Sequence, residues 1–466
     1  MYNKKCLMIL TVLAALSQTT QAANWLMLQG TERPKATHKF WGFVQPSYTY
    51  DSSDTLSGLT FAPLVGNNGK RTAKNSIAPW FDDDSRFHFR RARFGVRGRL
   101  SDKINYFTLF EVAPNLLTYD PFGDRARTVA LDHLSMTFNY IKGARVRVGL
   151  FKTPGPEESF NAIHTMTYIE FTDFVARETL ERFVTGAGKP AGSPLSPGLG
   201  TPTSVAYGFN GVRDWGIQVF DSFKKGKWDL SYAVMLGRGE GIHETSDTDN
   251  NNDVYLYTSA EYDLPGGKGP FKNGIKYYSF YQAGKRSFQS DLSGAEYDRK
   301  RYGIGVKAVG RLFGGRYKHR IAAELLYADG MLFLAPAGGV RGGVLQIAAE
   351  EGNKARGYTL DYGFFLNRHW EFGIRYHRNN LLYERVATVN PGNERIFKEW
   401  TLGINYNFTP RKRLSLNYTI RDIEAPNAYV ASGGFTAGAA ATLTNDVQRI
   451  VGTTDNRIAL QFTWVF

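Results

Sequence analysis

Four arginines occur at alternate positions in the stretch 90-RRARFGVRGRL-100, with no acidic residue among them. Given a period of two, Arg91, Arg93, Arg97 and Arg99 share one face, and the alternating residues between them are apolar or glycine. A guanidinium group is planar, stays protonated and can bind two oxygens of one oxyanion. Alternate side chains of a strand lie about 6.6–6.8 Å apart. The stretch therefore predicts a row of anion-binding groups along one face of a β-strand.

Basic side chains recur on the same face of other segments. They outnumber the acidic residues of that face, and such an excess raises the local concentration of anions wherever the face borders water. The predicted anion-binding residues are Arg91, Arg93, Arg97, Arg99, Arg145, Arg147, Lys152, Lys307, Arg320 and Arg375.

Two alternatives apply to these and the more isolated cations. Some arginines could pair with acidic residues of neighbouring strands, which would cancel their charge. The acidic residues placed to do so are Glu324, Asp361 and Glu371. For Arg413, Arg421 and Arg457, contact with a rim or with lipopolysaccharide is the favoured interpretation.

The segments that carry these side chains alternate between apolar and polar residues over about ten positions. In 456-NRIALQFTWVF-466 the apolar face carries isoleucine, leucine, phenylalanine and tryptophan, and the other face carries arginine, glutamine and threonine. Segments 369–378, 398–408 and 412–421 repeat the pattern. Strands of this length with two differently solvated faces are typical of membrane-spanning β-barrels.

The connections between these segments alternate between short and long. The short ones are 101–103, 141–144, 223–227, 264–270, 311–317, 366–368 and 409–411. The long ones lie around 51–84, 114–128, 153–211, 238–252, 284–298, 329–355, 379–396 and 423–455. The pattern predicts an all-β fold, a 16-stranded antiparallel transmembrane β-barrel with short periplasmic turns and long extracellular loops. A barrel of this size can leave an aqueous channel.

The first 22 residues have the features of a secretory signal peptide. Two lysines precede the apolar run 6–16, and small residues lie before Ala23. The only cysteine, Cys6, would be removed with the signal, so no thiol chemistry is expected in the mature chain. The predicted organisation is a signal peptide at 1–22, a short periplasmic segment at 23–38 and a barrel at 39–466.

Other chemistry is weakly represented in the sequence. His133 and Ser135 share the inner face of 131–140, but no residue marks the third group or the oxyanion site of a catalytic triad. The stretch 247-DTDNNND-253 begins like a calcium loop, yet Asn252 and Thr258 replace its glycine and glutamate. We therefore predict no enzyme, no cofactor and no metal site. The formal net charge of +14 favours anionic partners, and no nucleic acid is predicted among them.

Several segments together resemble the phosphate-selective porins of the O and P type. They are 40–51, the basic strand 89–100, 131–154 with its Gly-x-Phe-Lys-x-Pro ending, 213–220, 230–241 and the terminal strand. The resemblance implies a homotrimer with one pore per subunit and a third extracellular loop, here 153–211, that folds inward as a constriction. It also implies that basic wall residues attract and relay anions, and that Phe466 is read by the barrel-assembly machinery. The family has no counterpart to the extended stretch 185–204, whose Gly, Pro and Ser content predicts mobility.

The sequence thus predicts a porin in the outer membrane of a Gram-negative bacterium, in contact with outer-membrane lipid and lipopolysaccharide. Small inorganic anions, phosphate or a related oxyanion first among them, are the predicted cargo. A weakly selective general diffusion porin is the alternative, and an outer-membrane enzyme or a surface structural barrel is a remote one.

Overall fold

The structure is a computed structural model. The residues it describes are 24–27, 37–53, 85–114, 129–179, 183–185, 204–206, 212–239, 250–266, 272–287, 296–330, 333–336, 345–348, 353–384, 390–431, 436–452 and 454–466.

Sixteen strands close into one antiparallel barrel, in which each strand pairs with its neighbours along the chain and β20 returns to β1. The barrel strands are β1 (Lys39–Asp51), β2 (Ser85–Ser101), β3 (Ile104–Glu111), β4 (Ala130–Phe138), β5 (Arg145–Lys152), β8 (Arg213–Lys225), β9 (Trp228–Gly237), β10 (Asp253–Asp263), β11 (Gly274–Ser287), β12 (Glu296–Gly310), β13 (Lys318–Asp329), β16 (Ala355–Phe365), β17 (Trp370–Leu381), β18 (Arg395–Thr409), β19 (Lys412–Glu424) and β20 (Arg457–Val465). The predicted fold is confirmed.

The alternation of residue types explains why these segments form a barrel. On β2, Phe94 is 45% exposed on the outer face, whereas its neighbours Arg93 and Gly95 are buried on the inner face. Closure pairs every strand edge, so no edge N–H or C=O group is left in an apolar membrane. The seam is closed by the end of the chain, where Phe466 N donates to Gly42 O at 3.0 Å.

The two ends of the barrel differ, and we call them the turn side and the loop side. The seven short predicted turns join strands at the turn side, and the long connections leave from the loop side. Two small hairpins, β6–β7 (Phe183–Thr185 and Ser204–Ala206) and β14–β15 (Phe333–Pro336 and Leu345–Ala348), belong to long connections. The rest of the stretch 185–204, for which mobility is predicted, lies outside the described residues.

Helical structure is limited to short elements. The α-helices are α1 (Glu157–Phe160) and α2 (Ala437–Gly452), 3₁₀ turns cover Ile163–Thr165 and Pro391–Asn393, and a π-helical turn covers Val175–Thr179. In the described ranges, no helix combines the length and the apolar character needed to cross a membrane.

Residues 24–27 lie inside the barrel, although a periplasmic position is predicted for the whole of 23–38. Asn24 Nδ2 donates to Ser231 Oγ of β9 at 2.6 Å, and Leu26 is fully buried. The apolar side chains between Trp25 and Met27 pack in the same hydrophobic cluster as Phe220 of β8, which provides the reason for the inward position. Residues 1–22, predicted as a signal peptide, lie outside the described residues.

Candidate functional site

Residues 153–179, which we call the lumen segment, leave the loop side of β5 and cross the interior of the barrel. The crossing is fixed by bonds to distant strands, since Tyr168 Oη donates to Asp361 Oδ1 of β16 at 2.7 Å. The backbone N–H of Ile169 donates to Asn417 Oδ1 of β19, also at 2.7 Å. The segment therefore narrows the lumen from within.

Carboxylates of the lumen segment pair with cations of the wall opposite its origin. Glu157 lies 2.7 Å from Lys276 Nζ on β11 and 3.5 Å from Lys307 Nζ on β12. Glu158 lies 2.5 Å from Arg375 on β17. These ion pairs fasten the segment to the wall, and they also neutralise two of the predicted anion-binding residues, Lys307 and Arg375.

Arg320 on β13 is neutralised within the wall itself. Its guanidinium binds Asp361 at 2.7 Å and also binds Glu371 of β17. Two of the three acidic residues considered for such pairing therefore act as partners. The third, Glu324, accepts instead from Tyr278 Oη at 2.8 Å and from the backbone N–H of Glu157 at 3.0 Å. We call these cations on β11, β12, β13 and β17 the paired wall; they are Lys276, Lys307, Arg320 and Arg375.

Cations crowd together on the other side of the lumen segment. This group, which we call the basic cluster, consists of Arg91, Arg93, Arg147, Lys152 and Arg213, each at most 8% exposed. Lys152 interacts electrostatically with Arg91, Arg93 and Arg213, and Arg147 acts together with Lys152 and Arg213 on His133. The cluster thus joins β2, β5 and β8 where the lumen segment begins.

Only two carboxylates of the described residues lie within the basic cluster. Arg93 Nε lies 2.8 Å from Glu111 Oε2, and its Nη1 lies 2.9 Å from Asp132 Oδ2. Asp132 also binds Arg213 at 2.9 Å. Glu170 acts on Arg91 from farther away, but it already binds Arg90 in a bidentate pair. In the described structure, Glu111 and Asp132 are thus the carboxylates that pair with this group of five buried cations.

The remaining contacts of the cluster include neutral oxygens. Lys152 Nζ donates to the carbonyl of Ser159 at 2.8 Å and to that of Asn161. Arg91 donates to Gln45 Oε1 at 3.0 Å, and Arg147 donates to Gln218 Oε1 at 3.3 Å. Neutral oxygens satisfy hydrogen bonds but do not cancel charge, so the cluster keeps an excess of positive charge in a site with little water.

The other three predicted residues lie nearer the turn side. Arg99 pairs with Asp102 at 2.9 Å in an exposed position, and Arg145 lies 3.5 Å from Asp221. Arg97 lies over the ring of Trp41 at 5.7 Å, and no acidic group among the described residues forms an ion pair with it. The predicted set is therefore divided among the basic cluster, the paired wall and a group near the turn side.

Sequence reasoning missed residues whose position depends on irregularities of the sheet. The register between β1 and β2 shifts at Gln45/Pro46, and this brings Arg90 inward to Glu170. A second shift between β3 and β4 buries Asp132. Pro46 within a strand is a signal for such a bulge, since proline has no N–H for the ladder.

The rim interpretation of Arg413 is wrong. Its guanidinium is buried and donates to carbonyls of the lumen segment, of which Met166 O is nearest at 2.6 Å. Arg421 is also occupied inside the barrel, where it binds Asp51 at 2.6 Å. Both arginines hold irregular backbone or a loop in place.

His133 and Ser135 do meet, as their shared face predicts. His133 Nε2 and Ser135 Oγ are 2.7 Å apart, and the imidazole lies 4.3 Å from the ring of Phe107. In the described part of the chain, no carboxylate hydrogen-bonds to this imidazole, so the pair lacks the third member of a triad.

Metal ligands are not gathered in the described ranges, where no group of three or more His, Cys, Asp or Glu residues could hold a metal ion. Part of the calcium-like stretch, 247–249, lies outside the described residues. Its last residue, Asp253, is buried and lies 3.7 Å from Arg299.

A wide vestibule opens below the lumen segment on the turn side. Its volume is about 1330 Å³, and its lining contains seven arginine and lysine residues, among them Arg311, Lys318 and Arg413. None of the described residues that line it is acidic. An anion that leaves the basic cluster toward the turn side would therefore remain in a positive potential.

Residues 81–258 match the model of a protein family described as phosphate-selective porin O and P. The matched range includes β2 with its arginines, the Gly-x-Phe-Lys-x-Pro ending and the basic cluster. The resemblance stated from the sequence is confirmed over that range. No curated protein matches the chain.

Solved structures of outer-membrane proteins share the fold at low sequence identity. OmpF of Salmonella typhi, in complex with daunomycin, is 11% identical, with a TM-score of 0.50 over 92% of this chain and 97% of that one. A loop-deletion mutant of OmpT from Vibrio cholerae is 7% identical (TM-score 0.48, 92% and 99% covered). The anion-selective porin of Comamonas acidovorans is 12% identical (TM-score 0.46, 92% and 99% covered). Residues 81–258 are thus similar to phosphate-selective porins, and the chain shares the closed barrel fold of OmpF.

Proposed function

We propose that this porin passes small anions across the outer membrane and that the basic cluster is the binding step of the pathway. The observation that carries the proposal is the crowding of buried cations, with Arg93 and Arg213 acting on Lys152, around the carboxylates Glu111 and Asp132. Buried charges of one sign repel one another strongly because little water screens them. A mobile anion that enters the cluster relieves this repulsion, and we infer that it does so transiently.

The sequence of cations along β2 suggests how an anion would move. Arg90 lies toward the loop side, Arg91 and Arg93 lie in the cluster, and Arg97 and Arg99 lie toward the turn side. Conduction requires that each site bind well enough to admit the ion and weakly enough to release it. Closely spaced guanidinium groups meet this requirement, because one group can take the ion as the previous one releases it.

Phosphate or a related oxyanion is the preferred cargo in this proposal. A tetrahedral oxyanion can accept two parallel hydrogen bonds from one guanidinium and further bonds from Lys152. Chloride offers no such geometry, so it gains less from the cluster. The resemblance to phosphate-selective porins supports the same cargo.

The assembly and location of the protein are proposed with the function. We propose a homotrimer in the outer membrane of a Gram-negative bacterium, surrounded by lipid and lipopolysaccharide, with the turn side in the periplasm. Phe466, at the end of β20, would serve as the recognition residue for the barrel-assembly machinery. The segment 153–211 would act as the constriction of each pore.

A weakly selective diffusion porin is the second candidate, and the paired wall favours it. Lys307, Arg320 and Arg375 all have carboxylate partners, so on that side the lumen is close to neutral. If ions follow that side, the basic cluster would not control selectivity.

The reversal potential of the purified porin in a planar bilayer under a potassium chloride gradient separates the two candidates. Anion selectivity, together with block of the chloride current by added phosphate, supports the proposal. Near-zero or cation selectivity contradicts it.

Two variants locate the effect. Lys152→Gln should lower the ratio of anion to cation permeability by about tenfold, which corresponds to ~1.4 kcal/mol of anion stabilisation. Lys227→Gln, in the turn between β8 and β9, removes the same charge far from the cluster and should leave the ratio unchanged.

A further inference from the structure

An aromatic patch lines the inner wall just below the basic cluster. Trp41 and Phe43 of β1 stack at 6.2 Å between ring centroids, and Trp41 lies 5.7 Å from Phe107 of β3. His164 of the lumen segment faces both β1 rings, at 5.8 Å from Trp41 and 5.2 Å from Phe43. The face of a water-filled channel thus contains a continuous surface of four rings.

The patch is open at one end and closed at the other. Phe43 and Phe107 are buried, whereas Trp41 and His164 are only half-buried, and His164 lines the vestibule. Phe43 packs against His164 and so helps to anchor the lumen segment. This packing role does not explain why polar groups lie at the open end of the patch.

Two polar groups at the open end have no protein acceptor among the described residues. The indole Nε1 of Trp41 is buried yet forms no hydrogen bond. The guanidinium of Arg97, which lies over the same indole, forms no ion pair with any residue that the structure describes. A buried indole N–H and a guanidinium without a counter-charge both cost free energy when they stay unsatisfied. A hydrogen-bond acceptor with a negative charge would satisfy both groups.

The second ring of the open end is uncharged at neutral pH. Burial, with further effects from Arg413, Lys152, Arg97 and Arg93, lowers the pKa of His164 to about 3. A neutral imidazole offers a flat face for stacking and leaves Arg97, which lies over Trp41, as the charge available to bind an anion. The chemistry at this end is therefore one cation, one N–H donor and two ring faces.

We infer that Trp41, Arg97 and His164 form a binding site for organic anions with a flat unsaturated body, of which aromatic carboxylates are the simplest class. The carboxylate would pair with Arg97 and accept from Trp41 Nε1, and the ring would stack against Trp41 and His164. This inference rests on the proposed anion conduction, and it adds a cargo class that the basic cluster alone would not select.

The test compares three monocarboxylates as blockers of the chloride current of single channels in a bilayer. Acetate has the charge only, cyclohexanecarboxylate adds an apolar body, and benzoate adds a flat aromatic one. Benzoate should block at a concentration about tenfold lower than acetate and several-fold lower than cyclohexanecarboxylate. Equal potency of the two ring compounds would overturn the stacking geometry, and equal potency of all three would overturn the site.

Variants assign the effect to the patch. Trp41→Leu should remove the preference for benzoate, Trp41→Phe should keep part of it, and Arg97→Gln should weaken block by benzoate more than block by phosphate. Lys227→Gln, in the turn between β8 and β9, is the control for loss of a positive charge. Trp400→Leu, on the outer face, is the control for loss of an indole. If the Trp41 and Trp400 variants have the same effect, the inference is wrong.

The outcome also separates this inference from the proposed function. If phosphate blocks the current but benzoate is not preferred, the aromatic site is contradicted and the proposed anion conduction still stands. Cation selectivity of the unaltered protein would contradict both the proposed anion conduction and the aromatic site. Because the Trp41 variants alter packing of the lumen segment, single-channel conductance without blocker is recorded for each variant, and an unchanged value shows that the segment is still docked.

Discussion

The two sides of the lumen handle buried charge in opposite ways. On the paired wall each of the four cations has a carboxylate partner, supplied by the lumen segment or by a neighbouring strand. In the basic cluster five cations share Glu111 and Asp132, and amide or carbonyl oxygens supply further contacts. Arginine and lysine thus hold the lumen segment in place on the paired wall, whereas in the basic cluster they produce a positive potential.

The difference shows that the distribution of carboxylates, and not the number of arginines, decides where an anion can bind. A buried ion pair contributes little potential at a distance because its charges cancel, whereas an unbalanced group projects its charge into the lumen. The net charge of +14 would be compatible with either arrangement. Removing a carboxylate from the paired wall, or adding one to the basic cluster, tests this difference.

Removal of the carboxylate of Glu157 should have the largest effect. Glu157→Gln leaves Lys276 and Lys307 without their partner, and loss of one member of a buried pair costs about 3–5 kcal/mol. We expect α1 to detach from the wall and the single-channel conductance to rise about twofold or more, since about 2 kcal/mol is enough to change a docked population by more than tenfold. Conductance in a bilayer measures the effect.

Glu384→Gln is the control for that experiment, because Glu384 pairs with Lys354 in an exposed position. Exposed pairs contribute about 0–1 kcal/mol, so this variant should conduct like the unaltered porin. A normal conductance for Glu157→Gln would show that the ion pairs are not what fastens the lumen segment.

Addition of a carboxylate to the basic cluster should have the next largest effect. Gln45 and Gln218 already contact Arg91 and Arg147, so Gln45→Glu and Gln218→Glu change charge with almost no change of shape. Each should lower anion selectivity several-fold, and the double variant should make the cluster resemble the paired wall. Reversal potentials measure the change.

Gln448→Glu provides the control for the added charge, because Gln448 of α2 donates to the carbonyl of Ala425 and does not belong to the strands β1, β2, β5 and β8 around the cluster. If it lowers selectivity as much as Gln45→Glu, the potential of the lumen is diffuse and the cluster has no special role.

The barrel could be predicted from the sequence because its pattern is local and repeated. Each strand such as 456–466 carries its own alternation, and the turn that follows β2 or β18 is short enough to fix the partner. The charge balance of the site could not be predicted in the same way. The partners of Lys307 and Arg375 come from Glu157 and Glu158, which are distant in sequence and meet the wall only because the lumen segment folds inward.

Bulges limited the prediction as well. A period of two assigns a face to each residue only while the register holds, and the shift at Pro46 places Arg90 inside together with Arg91. Arg213 and Asp132 illustrate a similar limit near strand ends. A period of two therefore places residues on the correct face within regular strands and fails where strands are irregular.

Acid should weaken the docking of the lumen segment against the barrel wall, and protonation of His164 should be the first cause. The docked imidazole has a pKa of about 3 against an ordinary value of 6.5, so the undocked state binds the proton more readily. Docking is thus fully supported above pH 6.5 and weakens as the pH falls below that value. Conductance should be flat from pH 8 to pH 7 and should rise progressively toward pH 4.

Glu170 determines how docking of the lumen segment depends on pH at the lowest pH values. Burial alone would raise its pKa, but Arg90 and Arg457 outweigh burial and lower the pKa to about 2 from 4.5. Its contribution to docking is present above pH 4.5 and is lost as the pH falls through about 2. His164→Gln should therefore remove the rise between pH 6.5 and pH 4, and a rise that survives in this variant would point to another group.

The segment at 24–27 offers the smallest and most specific test, because it touches the basic cluster directly. The carbonyl of Leu26 accepts from Arg147 Nη2 at 3.3 Å, so the segment competes with a passing anion for one guanidinium. Asn24→Ala removes the bond to Ser231 that holds the segment against β9. We expect phosphate to block the chloride current at a concentration about two- to threefold lower in this variant, a change of ~0.5 kcal/mol.

Ser231→Ala removes the same hydrogen bond from the other side and should reproduce the effect. Ser222→Ala, on the neighbouring strand β8, is a control that leaves the bond intact. Agreement of the first two variants would mean that a piece of the chain outside the barrel wall modulates anion binding at the basic cluster. Opposite effects of the two variants would contradict competition, because both break one and the same bond.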